Sequence, residues 1–259
     1  MTAVRSLAYQ LLFLPWTLGL CLLYLPLLLG PRRLMQRAAA LWIKGALLLQ
    51  RSVLGLRYEL RGVENLPAGP CLIAAKHQSA WDTMIFHAIL DDPAYILKQE
   101  LLSLPFIGWY LTKSGQVAID RKAGIKALKL MVEGARQAVA EGRQVVIFPE
   151  GHRQPPGLAG EYHSGVAMLY AGLAVPTVPV ALNSGLFWGR DAFLRQAGVI
   201  TLEILPALPA GLDRKRFMPE LESRIETATR RLETEAAARF PRLREKIHPV
   251  TAPVDNSVD

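Results

Sequence analysis

A chain of 259 residues can build one sizeable core with at most a small appendage. Hydrophobic residues make up 51% and mean hydropathy is +0.20, which leans towards membrane contact without the composition of a polytopic bundle. The 30 Lys and Arg against 22 Asp and Glu leave a net +8, which favours an anionic partner: nucleic acid, an anionic lipid surface or a phosphorylated substrate.

The first feature along the chain is an uncharged, Leu-dominated run from Ser6 to Gly30. About 20 apolar residues can cross a hydrocarbon core, so a membrane anchor is expected, kinked or shortened by Pro15 and Pro26. A cleaved signal peptide fits less well, because Pro31-Arg32-Arg33 follows where a small-residue cleavage site would stand. Arg37, Lys44 and Arg51 then recur every seven residues, which on a helix aligns them in one stripe. With Leu41, Trp42, Ile43, Leu47, Leu48, Leu49 and Leu54 around them, they read as a helix lying in the interface, apolar face down. An ordinary amphipathic helix packed on a soluble domain is the rival. Cys21 and Cys71 lie in apolar surroundings, so no disulfide framework is expected and a reducing, cytosol-facing location fits.

From Leu56 the pattern becomes that of an α/β domain. Strands are predicted at Leu56–Arg61, Cys71–Ala75, Ala94–Lys98, Gln116–Ile119, Val145–Phe148, Thr177–Ala181 and Val199–Leu205. Helices are predicted near Ser79–Leu90, Ile125–Glu141, Gly165–Gly172 and Arg214–Arg239. This alternation argues for a mixed, mostly parallel sheet flanked by helices. The expected organisation is membrane-anchoring helices over 1–55, the α/β domain over 56–248 and a disordered tail over 249–259. Because all the chemistry-bearing groups follow Tyr58, removing 1–55 is expected to free the domain from membranes while leaving it folded.

Three places carry chemistry. In Lys76-His77-Gln78-Ser79-Ala80-Trp81-Asp82, a buried strand gives way to a helix whose N-cap is Ser79 and whose third residue is Asp82. On one regular helix, five positions would leave His77 and Asp82 roughly 140° apart, so a contact requires His77 to lie on the turn before it. Asp82 would then hold one imidazole nitrogen and leave the other free to take a hydroxyl proton. His87 and Asp92 share the spacing, but His87 falls inside the helix, and Asp82 read alone is equally a helix-capping carboxylate. In Phe148-Pro149-Glu150-Gly151-His152-Arg153, a strand ends in an acid and a cation: Glu150 for a polyol and Arg153 for a phosphate, or merely a solvated pair. In Val117-Ala118-Ile119-Asp120-Arg121, another strand ends in charge, and Lys98 closes a third. Lys98, Arg121 and Arg153 are thus expected to converge on one anion near His77. Pro179 in Val178-Pro179-Val180 points to an edge or bulge.

These pieces, in this order from about Tyr58 to Leu212, resemble the glycerolipid acyltransferases, specifically the bacterial 1-acylglycerol-3-phosphate acyltransferases. Lys98-Gln99-Glu100-Leu101 and Pro105-Phe106-Ile107-Gly108-Trp109 also look like the family's segment between its first two motifs. The resemblance implies His77 as base with Asp82 as its orienting partner, and Arg121, Glu150 and Arg153 as the acceptor's binding groups. Lys98 and Gly151 complete the expected site, with backbone N–H groups near Gly151 as candidate oxyanion donors. The family usually has Asn where this chain has Lys76 and Thr where it has His152, departures that could alter acceptor preference. The implied reaction moves an acyl group from acyl-CoA or acyl carrier protein to the sn-2 hydroxyl of lysophosphatidate, giving phosphatidate, with no metal or other cofactor. It would occur at the cytoplasmic side of a bacterial inner membrane. The rivals are acylation of another lyso-lipid, such as a lyso-ornithine lipid, and a membrane-tethered lipid-binding protein without turnover. Nucleic acid is not an expected partner, since the basic and aromatic motifs of the common modules are missing.

Overall fold

The computed structural model describes residues 2–120, 123–190 and 192–248. The expected tail, 249–259, lies outside them. Among the described residues, seven strands form one sheet: β1 (Leu56–Arg61), β2 (Leu72–Ala75), β3 (Ala94–Lys98), β4 (Val117–Ile119), β5 (Val145–Ile147), β6 (Thr177–Leu182) and β7 (Gly198–Ile204). Their order is β1-β7-β6-β2-β5-β3-β4, and every neighbouring pair is parallel except β6 with β7. The mixed, mostly parallel sheet anticipated from the alternation is therefore present. The central strand shows why it forms. Leu72 and Ala74 of β2 enter the core on one face, Ile73 and Ala75 enter it on the other, and all four are inaccessible.

Among the same residues, eight α-helices accompany the sheet: α1 (Thr2–Leu23), α2 (Arg32–Leu49), α3 (Ala80–Ile89), α4 (Ile107–Lys113), α5 (Gly124–Ala140), α6 (Gly165–Leu173), the short α7 (Ser184–Phe187) and α8 (Arg214–Arg239). The first core joins α2, α3 and α7 through Ile43, Leu47, Ile85, Phe86 and Phe187. The second joins α5, α6 and α8 through Met131, Val166, Phe217 and Leu221. Strand and helix ends fall within a residue or so of the sequence reading, but α4 and α7 have no sequence counterpart.

Two expectations change. Pro179 lies in an internal strand, not at an edge. Its missing N–H costs no ladder bond because β6 pairs with β7 only from Val180 onward, while its carbonyl accepts from Leu205 N–H at 2.9 Å. The apolar face of α2 does not face outward: Met35, Ile43, Ala46 and Leu47 are turned into the protein. What faces solvent is the Arg37, Lys44, Arg51 stripe, interleaved with exposed Leu41 and Leu48.

The amino-terminal helices also pack into the rest of the protein. Tyr9 of α1 and Leu54 after α2 belong to the sheet's own core. Arg32 pairs with Asp92 at 2.6 Å, and Gln36 donates to the carbonyls of Pro93 and Ser114, each at 3.1 Å. α1 runs on through Pro15, is long and apolar enough to cross a membrane, and leaves Val4, Leu11, Leu18 and Leu22 exposed.

Candidate active site

β2 ends at Ala75 and α3 begins at Ala80, so residues 76–79 form a turn at the carboxyl end of a central strand, where open α/β sheets place their ligands. Ser79 caps α3, its hydroxyl accepting from Trp81 N–H at 3.1 Å. Asp82 closes the cap from the third helical position: its Oδ2 accepts from Ser79 N–H at 2.7 Å and Gln78 N–H at 2.6 Å. The same oxygen meets His77 Nδ1 at 3.0 Å, while Oδ1 accepts from the Ser184 hydroxyl at 2.5 Å. Asp82 is therefore both a helix cap and the partner of His77.

A carboxylate that accepts two backbone N–H bonds on one oxygen fixes the tautomer of the ring beside it. Nδ1 donates, and Nε2 keeps its lone pair. The His77 ring stacks on Phe148 at 4.2 Å between centroids and retains 12% of its side-chain exposure. It lines a cavity of about 870 Å³ whose walls are mostly apolar, through Met84, Ile96, Leu101, Ile107, Leu128 and Met131, and which His87, His152 and His163 also line.

His87 is different. It sits in the last turn of α3, packed on Tyr95 with ring centroids 4.9 Å apart. Burial and the nearby Arg143 push its pKa down to about 4, against an opposing pull from Asp92. Asp92 is committed to Arg32 at 2.6 Å and Arg143 at 3.2 Å. The decoy pair shares the spacing, and His87 lines the same cavity, but its aspartate is held by the two arginines.

The remaining candidates separate. Lys98, at the end of β3, lines the cavity and lies 3.3 Å from Glu100. Gly151 also lines it, yet its N–H already donates to the Phe148 carbonyl at 3.0 Å, so this group is not poised as an oxyanion donor. Arg153 follows the cavity-lining His152 but sends its guanidinium to the Arg190 carbonyl at 2.5 Å. Arg121 lies outside the described residues.

Glu150 does not face the chamber. It is 2% exposed, with Oε1 accepting from Lys76 Nζ at 2.5 Å and Gly160 N–H at 3.0 Å, and Oε2 accepting from His77 N–H at 3.0 Å. Burial pushes its carboxyl upward, against the pull of Lys76. Glu150 thus holds the backbone at His77 and has no oxygen turned towards a polyol.

Lys76, Gln78, Ser184, Glu226 and Glu233 carry no functional reading in the sequence beyond the family departure at Lys76. A faint signal exists: Lys76 directly follows a fully apolar strand, and Glu226 and Glu233 interrupt the apolar face of α8 at a seven-residue spacing.

The chain matches the family model described as "Acyltransferase" over residues 57–183. It is 38% identical over 185 residues to the 1-acyl-sn-glycerol-3-phosphate acyltransferase of Pseudomonas aeruginosa, covering 71% of this chain and 72% of that one. It is 32% identical over 158 residues to the human 1-acyl-sn-glycerol-3-phosphate acyltransferase beta, covering 60% of this chain and 57% of the relative. Among solved structures, the 1-acyl-sn-glycerophosphate acyltransferase of Thermotoga maritima superposes with a TM-score of 0.73 at 21% identity, over 90% of this chain and 98% of that one. That likeness establishes the fold.

Proposed function

The chain belongs to the acyltransferase family, and from that premise we propose that it esterifies the sn-2 hydroxyl of lysophosphatidate with a fatty acyl group, giving phosphatidate. The observation that carries the proposal is the His77 Nδ1–Asp82 Oδ2 contact of 3.0 Å at the wall of an apolar chamber.

In the proposed step His77 Nε2 removes the acceptor hydroxyl proton as that oxygen attacks the thioester carbonyl. A C–O bond forms, the C–S bond breaks, and the proton passes from His77 to the departing thiolate of coenzyme A or acyl carrier protein. Asp82 orients the ring and balances the charge it transiently gains. General-base catalysis of this kind contributes about 10²–10⁴-fold, with alignment of the two substrates contributing much of the rest. For the acceptor's phosphate we assign Lys98, Arg121 and Arg153, cations carried at or just beyond three strand ends.

The protein associates with membranes, consistent with the exposed apolar surface of α1 and the cationic stripe of α2. We assign it to the cytoplasmic face of a bacterial inner membrane, where both thioester carriers are available and its free Cys21 and Cys71 remain reduced. Purified protein given labelled acyl-CoA or acyl carrier protein thioester should form phosphatidate from lysophosphatidate. Preferential turnover of a lyso-ornithine lipid would reassign the acceptor, and no turnover with either donor would reduce the protein to a binding role.

A further inference from the structure

We propose that Glu226 and Glu233 of α8 are positioning residues for acyl transfer: through Lys76 and Gln78 they clamp both neighbours of His77, so that this helix fixes where the imidazole points. The inference rests on His77 being the base.

The contacts converge on three consecutive residues. Before the base, Lys76 is inaccessible, and its ammonium donates to Glu226 Oε1 at 2.8 Å, Glu150 Oε1 at 2.5 Å and the Leu158 carbonyl at 3.0 Å. After it, Gln78 is 1% exposed. Its Nε2 donates to Glu233 Oε1 at 2.7 Å, and its Oε1 accepts from Gly185 N–H at 3.1 Å. At the base itself, the main-chain N–H donates to Glu150 at 3.0 Å and the carbonyl accepts from Gln154 N–H at 2.8 Å. The backbone of the turn is thus held at each residue, and only the His77 ring is left facing the chamber.

Glu226 and Glu233 stand seven residues apart on α8, hence on nearly the same face, and meet the turn from its two sides. Neither lines the chamber. Burying two carboxylates here calls for more than packing, because a buried acid is tolerated only when its oxygens are satisfied. Glu226 Oε1 also accepts from Tyr162 Oη at 2.9 Å, and Glu233 accepts on both oxygens, with Gly157 N–H at 3.2 and 3.1 Å. The two carboxylates of Glu150 and Glu226 outweigh burial and leave the Lys76 ammonium raised above its usual range, so the central cation stays charged.

The test uses the full chain in its membrane or detergent-solubilised form, with kcat, KM for each substrate and Tm measured together. E233Q places an amide N–H₂ against either Gly157 N–H or Gln78 Nε2, both donors. A displaced base loses rate while the chamber keeps its affinity, so kcat should fall roughly ten-fold with KM within about two-fold. E226Q keeps an oxygen for Lys76 and Tyr162 and should lose roughly three- to ten-fold, deciding the matter if E233Q does not fold. The exchange Q78E/E233Q restores every partner. Its carboxylate, now on the turn, accepts from the amide now on α8 and from Gly185 N–H, while that amide's oxygen accepts from Gly157 N–H. The kcat of this double variant should return most of the way to wild type. E235Q, on the exposed side of the same helix and paired with Arg61 and Arg231, should leave kcat unchanged. If E226Q and E233Q lower Tm but keep wild-type kcat, or if E235Q slows turnover as much, the clamp is overturned. H77A run alongside separates the two claims: activity in H77A overturns the base assignment itself, whereas an inactive H77A beside a fully active E233Q overturns only the clamp.

Discussion

At the scale of single residues, His77 and His87 form a matched comparison, since each stands five positions before an aspartate and only His77 contacts its partner. His77→Ala should abolish acyl transfer with the melting transition retained, whereas His87→Ala should keep turnover. Asp82→Asn should fold, since Asn can still present its oxygen to the three N–H groups that Oδ2 now accepts. It should lose on the order of 10²–10⁴ in kcat, because the ring loses the charge that orients and stabilises it. His87 has its own signature, in stability. Its folded pKa of about 4 lies below the ordinary 6.5, chiefly through burial, so as pH falls the unfolded chain takes up the proton first. The stability it confers is fully present above about pH 6.5 and is lost progressively towards pH 4. At about 1.4 kcal/mol per pKa unit this is of order 3 kcal/mol. His87→Gln should flatten that part of the stability–pH curve relative to wild type; a parallel curve for the variant would refute the assignment.

At the scale of elements, β3, β4 and β5 run parallel and end on the same side of the sheet, and the proposed assignment of Lys98, Arg121 and Arg153 to one anion rests on their following those three strands in sequence. Truncating one member of a desolvated charge pair costs about 2–5 kcal/mol. At about 1.4 kcal/mol per decade, Arg121→Ala or Arg153→Ala should therefore lower kcat/KM on lysophosphatidate roughly 30- to 5,000-fold. The same variants should turn over a monoacylglycerol, which has no phosphate, almost as well as wild type does. Equal losses on both acceptors, with a lower Tm, would show that these cations support the fold instead. The strands and the His77 turn are legible in the sequence because each rests on a local pattern: an apolar run, then an N-cap with its acid three residues on. Glu150 is illegible for the converse reason. Its partners, Lys76 and Gly160, are distant in sequence or featureless in it, and an acid after a strand looks alike whether it faces a chamber or a buried ammonium. The face of α2 misleads similarly, since periodicity shows that one side is apolar but not what covers it.

At the scale of the whole molecule, the question is whether residues 2–54 are an anchor attached to an enzyme or part of the enzyme. Their exposed surface is that of an anchor: a helix of roughly 33 Å at 1.5 Å per residue, then a stripe of Arg37, Lys44 and Arg51. Their other surface belongs to the core. Tyr9, Met35, Ile43, Leu47 and Leu54 are each at most 8% exposed. Burying a large apolar side chain contributes about 1.5–3 kcal/mol, so these five contribute roughly 7–15 kcal/mol, as much as the whole stability of an ordinary domain. The bonds of Arg32 to Asp92 and of Gln36 to Pro93 and Ser114 add to the joint. Deleting residues 1–55 should therefore unfold the protein, not release a soluble domain. Membrane contact should instead be weakened from the outer surface alone. Replacing Arg37, Lys44 and Arg51 together with Gln touches no buried group. At about 1 kcal/mol per basic residue near an anionic surface, it should cut the electrostatic part of binding to anionic vesicles roughly 150-fold and leave Tm within a degree or two. Vesicle co-sedimentation and thermal melts of the triple variant and the truncation, run side by side, decide the point. A truncated chain that stays soluble, melts cooperatively near the wild-type temperature and still forms phosphatidate would show that the shared core is dispensable and the amino-terminal helices only a tether.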